Sequence, residues 1–229
     1  MKQSLILLHG AVGSKNQFEK LESLLLNTFN VHSFNFEGHG GRMASEKYSM
    51  DLFSQNLLQF MDENSLEKSH IFGYSMGGYV ALVFAKEHPE RINRIMTLGT
   101  KFDWTPESAE KETKMLNPEK IEAKVPRFAK MLEERHQPLD WKNVLNQTAQ
   151  MMLDLGNGKA FTSNQFATIQ NEVFITIGEN DNMVTFEEGE AIANVLSNGT
   201  IKKIEGFPHP IEKVDFQKLA ELIIEFFNA

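Results

Sequence analysis

Residues 70–85 read HIFGYSMGGYVALVFA. The first part, "HIFGYS" (70–75), is a short apolar and aromatic run that reads as a strand. The run from Tyr79 to Ala85 is apolar nearly all round, the pattern of a helix buried on every side. Between them sits Gly73-Tyr74-Ser75-Met76-Gly77. A serine at a strand-to-helix junction, with glycine two residues before and two after, is the context in which G-x-S-x-G presents a nucleophile. The turn is so sharp that its flanks nearly touch, so only very small residues fit at Gly73 and Gly77. Gly78 adds room for helix–strand contact. The competing reading is a Gly-rich turn with an incidental serine, and the rest of the chain decides between the two.

Working outward, five more segments read as strands: "SLILLHG" (4–10), "VHSFNF" (31–36), "INRIMTLGT" (92–100), "EVFITIGEN" (172–180) and "TIKKIEGF" (200–207). Helical patterns lie between them. Ser14 to Gln17 has capping-box spacing ahead of Phe18, Leu21, Leu25 and Phe29. Residues 49–62 put Leu52, Phe53, Leu57, Phe60 and Met61 on one face. Thr185 to Glu188 is a second capping box, and a last helix buries Phe216, Leu219, Ala220, Ile223, Phe226 and Phe227. This alternation predicts a mainly parallel sheet with helices on both faces.

Residues 102–167 break the alternation. They are charged and helical, punctuated by Pro106, Pro118, Pro126 and Pro138. Trp141, Val144, Leu145, Thr148, Met151, Met152 and Leu155 recur at three-and-four spacing, which predicts an amphipathic helix. The expected division is a core first part at 1–101, a helical cap inserted at 102–167 over one end of the sheet, and a core second part at 168–229.

The chain has 229 residues, 41% of them hydrophobic and 18 of them Phe, enough for a sizeable core. Its formal net charge of −8 and lack of a Lys/Arg cluster argue against a nucleic-acid partner. With no cysteine, disulfides, Cys-based metal sites and thiol catalysis are excluded. Leu5 to Leu8 is too short for a signal-peptide core, and no apolar stretch of about 18 residues suggests a membrane span. A cytoplasmic protein with a small-molecule substrate and no membrane partner is expected. No cofactor or metal is expected either, since H-E-x-x-H, Gly-rich phosphate loops and EF-hand spacing are missing.

A serine hydroxyl needs a base. Of the seven histidines, His32 and His70 fall in strands, His88 ends a helix and His136 lies in the insertion. His9 and His39 sit in turns after early strands. His209, in "EGFPHPIEK", follows the last strand. Loops after parallel strands share one sheet edge, so His209 can meet Ser75 there. The base in turn needs a carboxylate to fix its tautomer. Asp181, after the strand "ITIG", is the best placed; Asp103 and Glu179 compete, and Asp181 also reads as an ordinary turn residue. The backbone N–H groups of Met76 and Ala11 are the expected oxyanion donors.

In order, "LLHGAVGS", "FNFEGHGG", "FGYSMGG", "IGENDNMV" and "GFPHPIE" resemble the motifs of the α/β-hydrolase superfamily. The resemblance covers nearly the whole chain outside the insertion. It implies Ser75 as nucleophile, His209 as base and Asp181 as acid, under a helical cap. The chain starts at the strand usually counted third, so the two leading antiparallel strands look absent. Glu37-Gly38-His39-Gly40 carries Glu where the family has Pro, in a turn that is structural. Phe128, Trp141, Met151 and Met152 are expected substrate contacts, with Met115 and Met131 as further candidates. The opposing reading is that such residues only pack the cap onto the core.

The leading expectation is a serine hydrolase acting on a small carboxylic ester or thioester. A second is a lyase similar to the menaquinone-pathway synthase that eliminates pyruvate to form succinyl-cyclohexadiene carboxylate. That enzyme has an arginine directly after G-x-S-x-G-G, where this chain has Tyr79. "SMGG" also occurs in cofactor-free perhydrolases. A third reading is a ligand-binding signalling protein on the same fold.

Overall fold

A computed structural model describes residues 2–228; Met1 and Ala229, the outer ends of the two expected core parts, lie outside the described residues. Six strands form one sheet: β1 (Ser4–Leu8), β2 (Asn30–Ser33), β3 (Ser69–Tyr74), β4 (Ile92–Leu98), β5 (Glu172–Asn180) and β6 (Gly199–Pro208). Every pairing is parallel, in the order β2-β1-β3-β4-β5-β6. The six runs read from the sequence are these strands: β1, β2 and β4 end earlier than read, β3 is shifted by one residue, β5 has the expected bounds, and β6 is one residue longer at each end. β1 stops where His9-Gly10 turns, and β4 stops at Gly99, whose φ of +62° suits glycine.

The helices are α1 (Glu19–Leu25), α2 (Met50–Glu63), α3 (Met76–Glu87), α4 (Pro106–Thr113), α5 (Pro118–Lys124), α6 (Pro126–His136), α7 (Trp141–Asp154), α8 (Ser163–Ala167), α9 (Phe186–Val195) and α10 (Phe216–Asn228). Strand alternation sorts the core into two layers. Leu5 and Leu7 of β1 pack with α1 and α10, while Ile6 and Leu8 pack with α2 and α3. All four are fully buried. Burying a side chain of this size stabilises by about 1.5–3 kcal/mol. The α10 face of Phe216, Leu219, Ile223 and Phe227 is what closes the first layer.

Capping chemistry begins the helices where the sequence signalled it. The Thr185–Glu188 box opens α9. The Ser14–Gln17 box forms too, but over a 3-10 turn (Lys15–Phe18) that leads into α1. Helices α4 to α8 occupy the interval between β4 and β5. They hold a small cluster of their own, Ile121, Ala129, Leu132, Trp141 and Leu145. Val144, Met151 and Leu155 join the main core instead. No helix among the described residues is long and apolar enough to cross a membrane.

The strand order reverses at β1. The chain leaves β1 for β2 on one side, then crosses to β3 on the other. In open parallel sheets such a switch point opens a crevice at the carboxyl ends of the strands. Ala11 follows β1, Ser75 follows β3 and His209 follows β6, so all three stand at that edge.

Candidate active site

Ser75 joins β3 to α3 with φ 51° and ψ −118°. A non-glycine residue held there costs on the order of 1–3 kcal/mol, so the surroundings must impose it. The neighbouring glycines show how. A Cβ on Gly73 would come 2.4 Å from Gly78 Cα and 2.6 Å from Gly77 C. A Cβ on Gly77 would meet the Leu8 carbonyl oxygen at 2.3 Å, and one on Gly78 would meet Thr100 Oγ1 at 2.0 Å. The backbone is therefore packed too tightly for side chains on both sides of the serine. Ser75 N–H donates to the Leu98 carbonyl (2.8 Å), and Thr100 Oγ1 donates to the Ser75 carbonyl (3.0 Å). These two bonds pin the turn to β4.

His209 and Asp181 are in contact. Nδ1 of His209 lies 2.8 Å from Asp181 Oδ2, and the two side chains are 8% and 2% exposed. A carboxylate can only accept, so Nδ1 carries the proton and Nε2 is left as the basic nitrogen. Asp181 Oδ1 also accepts from the N–H groups of Met183 (2.9 Å) and Val184 (3.0 Å). The turn-residue reading of Asp181 and the histidine-orienting reading thus describe one side chain, one oxygen each. Tyr74 Oη donates to the His209 carbonyl at 2.9 Å, fixing the histidine backbone as well. Burial raises the Tyr74 pKa, so it stays a neutral donor. Gly99 makes the approach possible, since a Cβ there would lie 3.1 Å from Asp181 Oδ2.

The competing carboxylates go elsewhere. Asp103 is exposed. Glu179 is exposed and accepts from Gly206 N–H at 3.2 Å.

Ala11 belongs to a turn closed by Gly13 N–H donating to the Gly10 carbonyl (3.1 Å), with Val12 at φ 51°. Among the described residues the Ala11 N–H has no hydrogen-bond partner. Met76 is the first residue of α3, where a helix leaves its N–H without an internal acceptor. The turn is held from above by the end of α6. Arg135 Nη1 (3.0 Å) and His136 Nε2 (3.1 Å) both donate to the Val12 carbonyl. Gly40 N–H donates to His136 Nδ1 at 3.1 Å, which sets that tautomer.

His9 and His39 complete a buried group of three imidazoles with His136; ring centroids are 5.2 Å apart for His9–His39 and 5.9 Å for His39–His136. His9 Nε2 accepts from Phe36 N–H and its Nδ1 donates to the Gly10 carbonyl. Burial pushes His9 down to about 3 and His136 to about 4, and holds His39 well below the ordinary range. All three are neutral at pH 7. Among the described residues, no group of three His, Asp or Glu side chains could hold a metal ion.

Ser75, His209, Ala11 and Met76 line one small cavity of about 50 Å³. Its walls are mostly apolar: Met50, Tyr79, Met151, Met152, Met183 and Val184. Two of the four expected substrate contacts, Met151 and Met152, are therefore at the site. Phe128 and Trp141 do not line the cavity. Trp141 is buried inside the α5–α7 cluster, and Phe128 is 39% exposed. Met115 is 51% exposed, outside the cavity. The sequence reading missed Met50, Tyr79, Lys101, Trp104, Glu112, Met183 and Val184 as wall residues. Only Met183 and Val184 carried a signal, their place directly after Asp181.

Comparison with known proteins adds to this geometry. The family model of the alpha/beta hydrolase fold matches residues 3–118, just over half of the chain. A probable alcohol acetyltransferase of Cyberlindnera fabianii is 32% identical over 101 residues, 43% of this chain and 27% of that protein. A putative 2-succinyl-6-hydroxy-2,4-cyclohexadiene-1-carboxylate synthase of Bacillus subtilis strain 168 is 31% identical over 101 residues, 43% of this chain and 36% of that protein. The matched stretch thus spans only about a quarter to a third of these curated relatives. Among solved structures, the 2-hydroxy-6-oxo-6-phenylhexa-2,4-dienoate hydrolase of Rhodococcus sp. strain RHA1 superimposes with a TM-score of 0.82. It is 18% identical, and the match covers 100% of this chain and 91% of that one.

Proposed function

The chain belongs to the alpha/beta hydrolase fold family, and from that premise we propose that it cleaves a small carboxylic ester or thioester through an acyl-enzyme at Ser75. The observation that carries this reading is the His209–Asp181 pair at 2.8 Å, set on the same cavity as a strained serine. Nε2 of His209 takes the Ser75 proton as Oγ attacks the carbonyl carbon. The developing oxyanion is received by the N–H groups of Ala11 and Met76. His209 returns the proton to the leaving alcohol or thiol, then activates water to release the acid. Among the described residues Ser75 Oγ has no hydrogen-bond partner, and such bonds commonly tighten only once substrate is bound. The helical segment over the site serves as its cap.

The similarity to the cyclohexadiene-carboxylate synthase favours one rival, a triad-bearing lyase. Two features weigh against it. Tyr79 stands directly after G-x-S-x-G-G, and its hydroxyl accepts from Phe161 N–H at 2.7 Å. The cavity wall carries one lysine and no arginine, a poor receptor for a polycarboxylate. The test is a series of p-nitrophenyl esters of graded chain length, assayed with wild type and Ser75→Ala. Wild type should hydrolyse the short and medium esters, and Ser75→Ala should retain less than about one part in 10³ of that turnover. Hydrolysis that survives in Ser75→Ala would overturn the reading.

A further inference from the structure

One end of the apolar cavity is polar in an unusual way. Trp104, Lys101 and Glu112 all reach its wall. Trp104 Nε1 is buried and, among the described residues, has no hydrogen-bond partner. Glu112, on α4, is 7% exposed at its side chain and, among the described residues, accepts no hydrogen bond; Lys101 Nζ lies 3.9 Å away. Lys101 lies 3.8 Å from Glu188 as well, beyond hydrogen-bonding reach of either carboxylate. Glu188 is occupied otherwise, accepting from Phe102 N–H (3.0 Å) and closing the α9 capping box. Trp104 Nε1 is thus a buried donor without a partner, and beside it Lys101 and Glu112 are joined only by a contact longer than a hydrogen bond. Leaving a donor such as the Trp104 N–H buried and unsatisfied costs roughly 1–3 kcal/mol.

We infer that this corner is a subsite for a neutral hydroxyl-bearing end of the substrate, an inference that rests on the ester-hydrolase reading above. A hydroxyl matches the corner because it both accepts, from Trp104 Nε1 or Lys101 Nζ, and donates, to Glu112. A methyl end would leave the Trp104 N–H unpaired and offer Lys101 and Glu112 no hydrogen bond. A carboxylate end would bring a further negative charge to a corner that holds two carboxylates and one lysine. The groove outside reinforces that exclusion: it shares Lys101, Glu112, Met183 and Val184 with the cavity and is lined by six carboxylates against three lysines. An ammonium end suits the net negative charge but has no acceptor to offer, so the Trp104 N–H would stay unpaired. The substrate class is thus an ester or thioester whose chain ends in, or carries near its end, a hydroxyl group.

Binding to Ser75→Ala reads the subsite without turnover. Calorimetry would compare ethyl hexanoate, ethyl 6-hydroxyhexanoate, monoethyl adipate and ethyl 6-aminohexanoate, with the matching four-carbon and five-carbon sets to cover chain length. At the best length the hydroxy ester should bind about tenfold or more tighter than the methyl-ended one, with the charged esters weaker than both. Adding Glu112→Gln or Trp104→Phe should bring the hydroxy-to-methyl ratio to within about threefold. The inference is overturned if the methyl-ended ester binds as well at every length, if a charged ester binds best, or if no hydroxy ester binds. Hydrolysis of p-nitrophenyl hexanoate by the wild type reports separately on the ester-hydrolase reading, so the two can fail independently.

Discussion

At the scale of single residues, Asp181 and Ser75 carry the most pointed consequences. In the proposed mechanism Asp181 Oδ2 holds the His209 tautomer, so Asp181→Asn should lower turnover by about 10⁴-fold. Asp103→Asn and Glu179→Gln, which touch neither partner, should stay within about tenfold. One ester assayed with all three variants, with melting curves for each, decides the matter. A crippled Asp103→Asn would place the acid after β4 instead. Ser75 pays for its geometry in stability. Its φ of 51° and ψ of −118° mirror an extended conformation that glycine adopts freely. Ser75→Gly should abolish activity yet stabilise by roughly 1 kcal/mol, raising the melting temperature by about 2–4 °C. An unchanged or lower melting temperature would show that the turn is not strained. These residues were legible from sequence because their chemistry demands a local pattern. Gly73, Gly77 and Gly78 announce close backbone approach, and the order of strands places Asp181 and His209 at the same edge. The hydrogen bonds of Asp181 Oδ1 were equally legible, as a turn; only the structure shows that one carboxylate does both.

At the scale of elements, the end of α6 bears on the β1 turn. Arg135 and His136 use both lone pairs of the Val12 carbonyl, directly beside the proposed oxyanion donor Ala11. Replacing His136 by Leu removes one of these bonds and leaves Gly40 N–H without its acceptor. The expected result is a loss of kcat of about 10–100-fold, with KM little changed, because the oxyanion donor is misplaced rather than the substrate pocket. A variant with normal kcat would show that Ala11 is held by its own turn alone. Sequence could not reveal this contact, since Val12 and His136 are joined only by the packing of the inserted helices. The same limit explains Phe128 and Trp141. Three-and-four periodicity in α7 says that Trp141, Leu145, Met151 and Met152 are turned inward, but not toward what. In the structure the helix faces α5 and α6 at its start and the cavity at its end. Lys101, Trp104 and Glu112 come from the loop after β4 and from α4, where polar residues look like ordinary surface.

At the scale of the whole molecule, the buried imidazoles couple stability to pH. His9, His39 and His136 have folded pKa values depressed below the unfolded value near 6.5, to about 3 for His9 and about 4 for His136. Below pH 6.5 the unfolded chain takes up protons that the folded chain refuses, so their contribution is lost as pH falls toward the folded values. Each group adds up to about 1.4 kcal/mol per pH unit in that window. Chemical denaturation at pH 7.5 and pH 5 should show a clear loss at the lower pH, and His136→Leu should flatten the dependence; an equal slope in both proteins would contradict it. The architecture itself was plain in the sequence, because period-two and near-period-four patterns alternate cleanly outside 102–167. The sheet order was not, since no local signal says which side of β1 a strand joins. The central claim is that Ser75, set at the switch point of that sheet, is the one nucleophile. Its most direct test is intact-mass measurement after a fluorophosphonate probe, with peptide mapping of the adduct. A single adduct on Ser75, absent from Ser75→Ala and slowed in His209→Gln, is the expected result; an adduct on another serine, or none on a folded protein that hydrolyses esters, would contradict it.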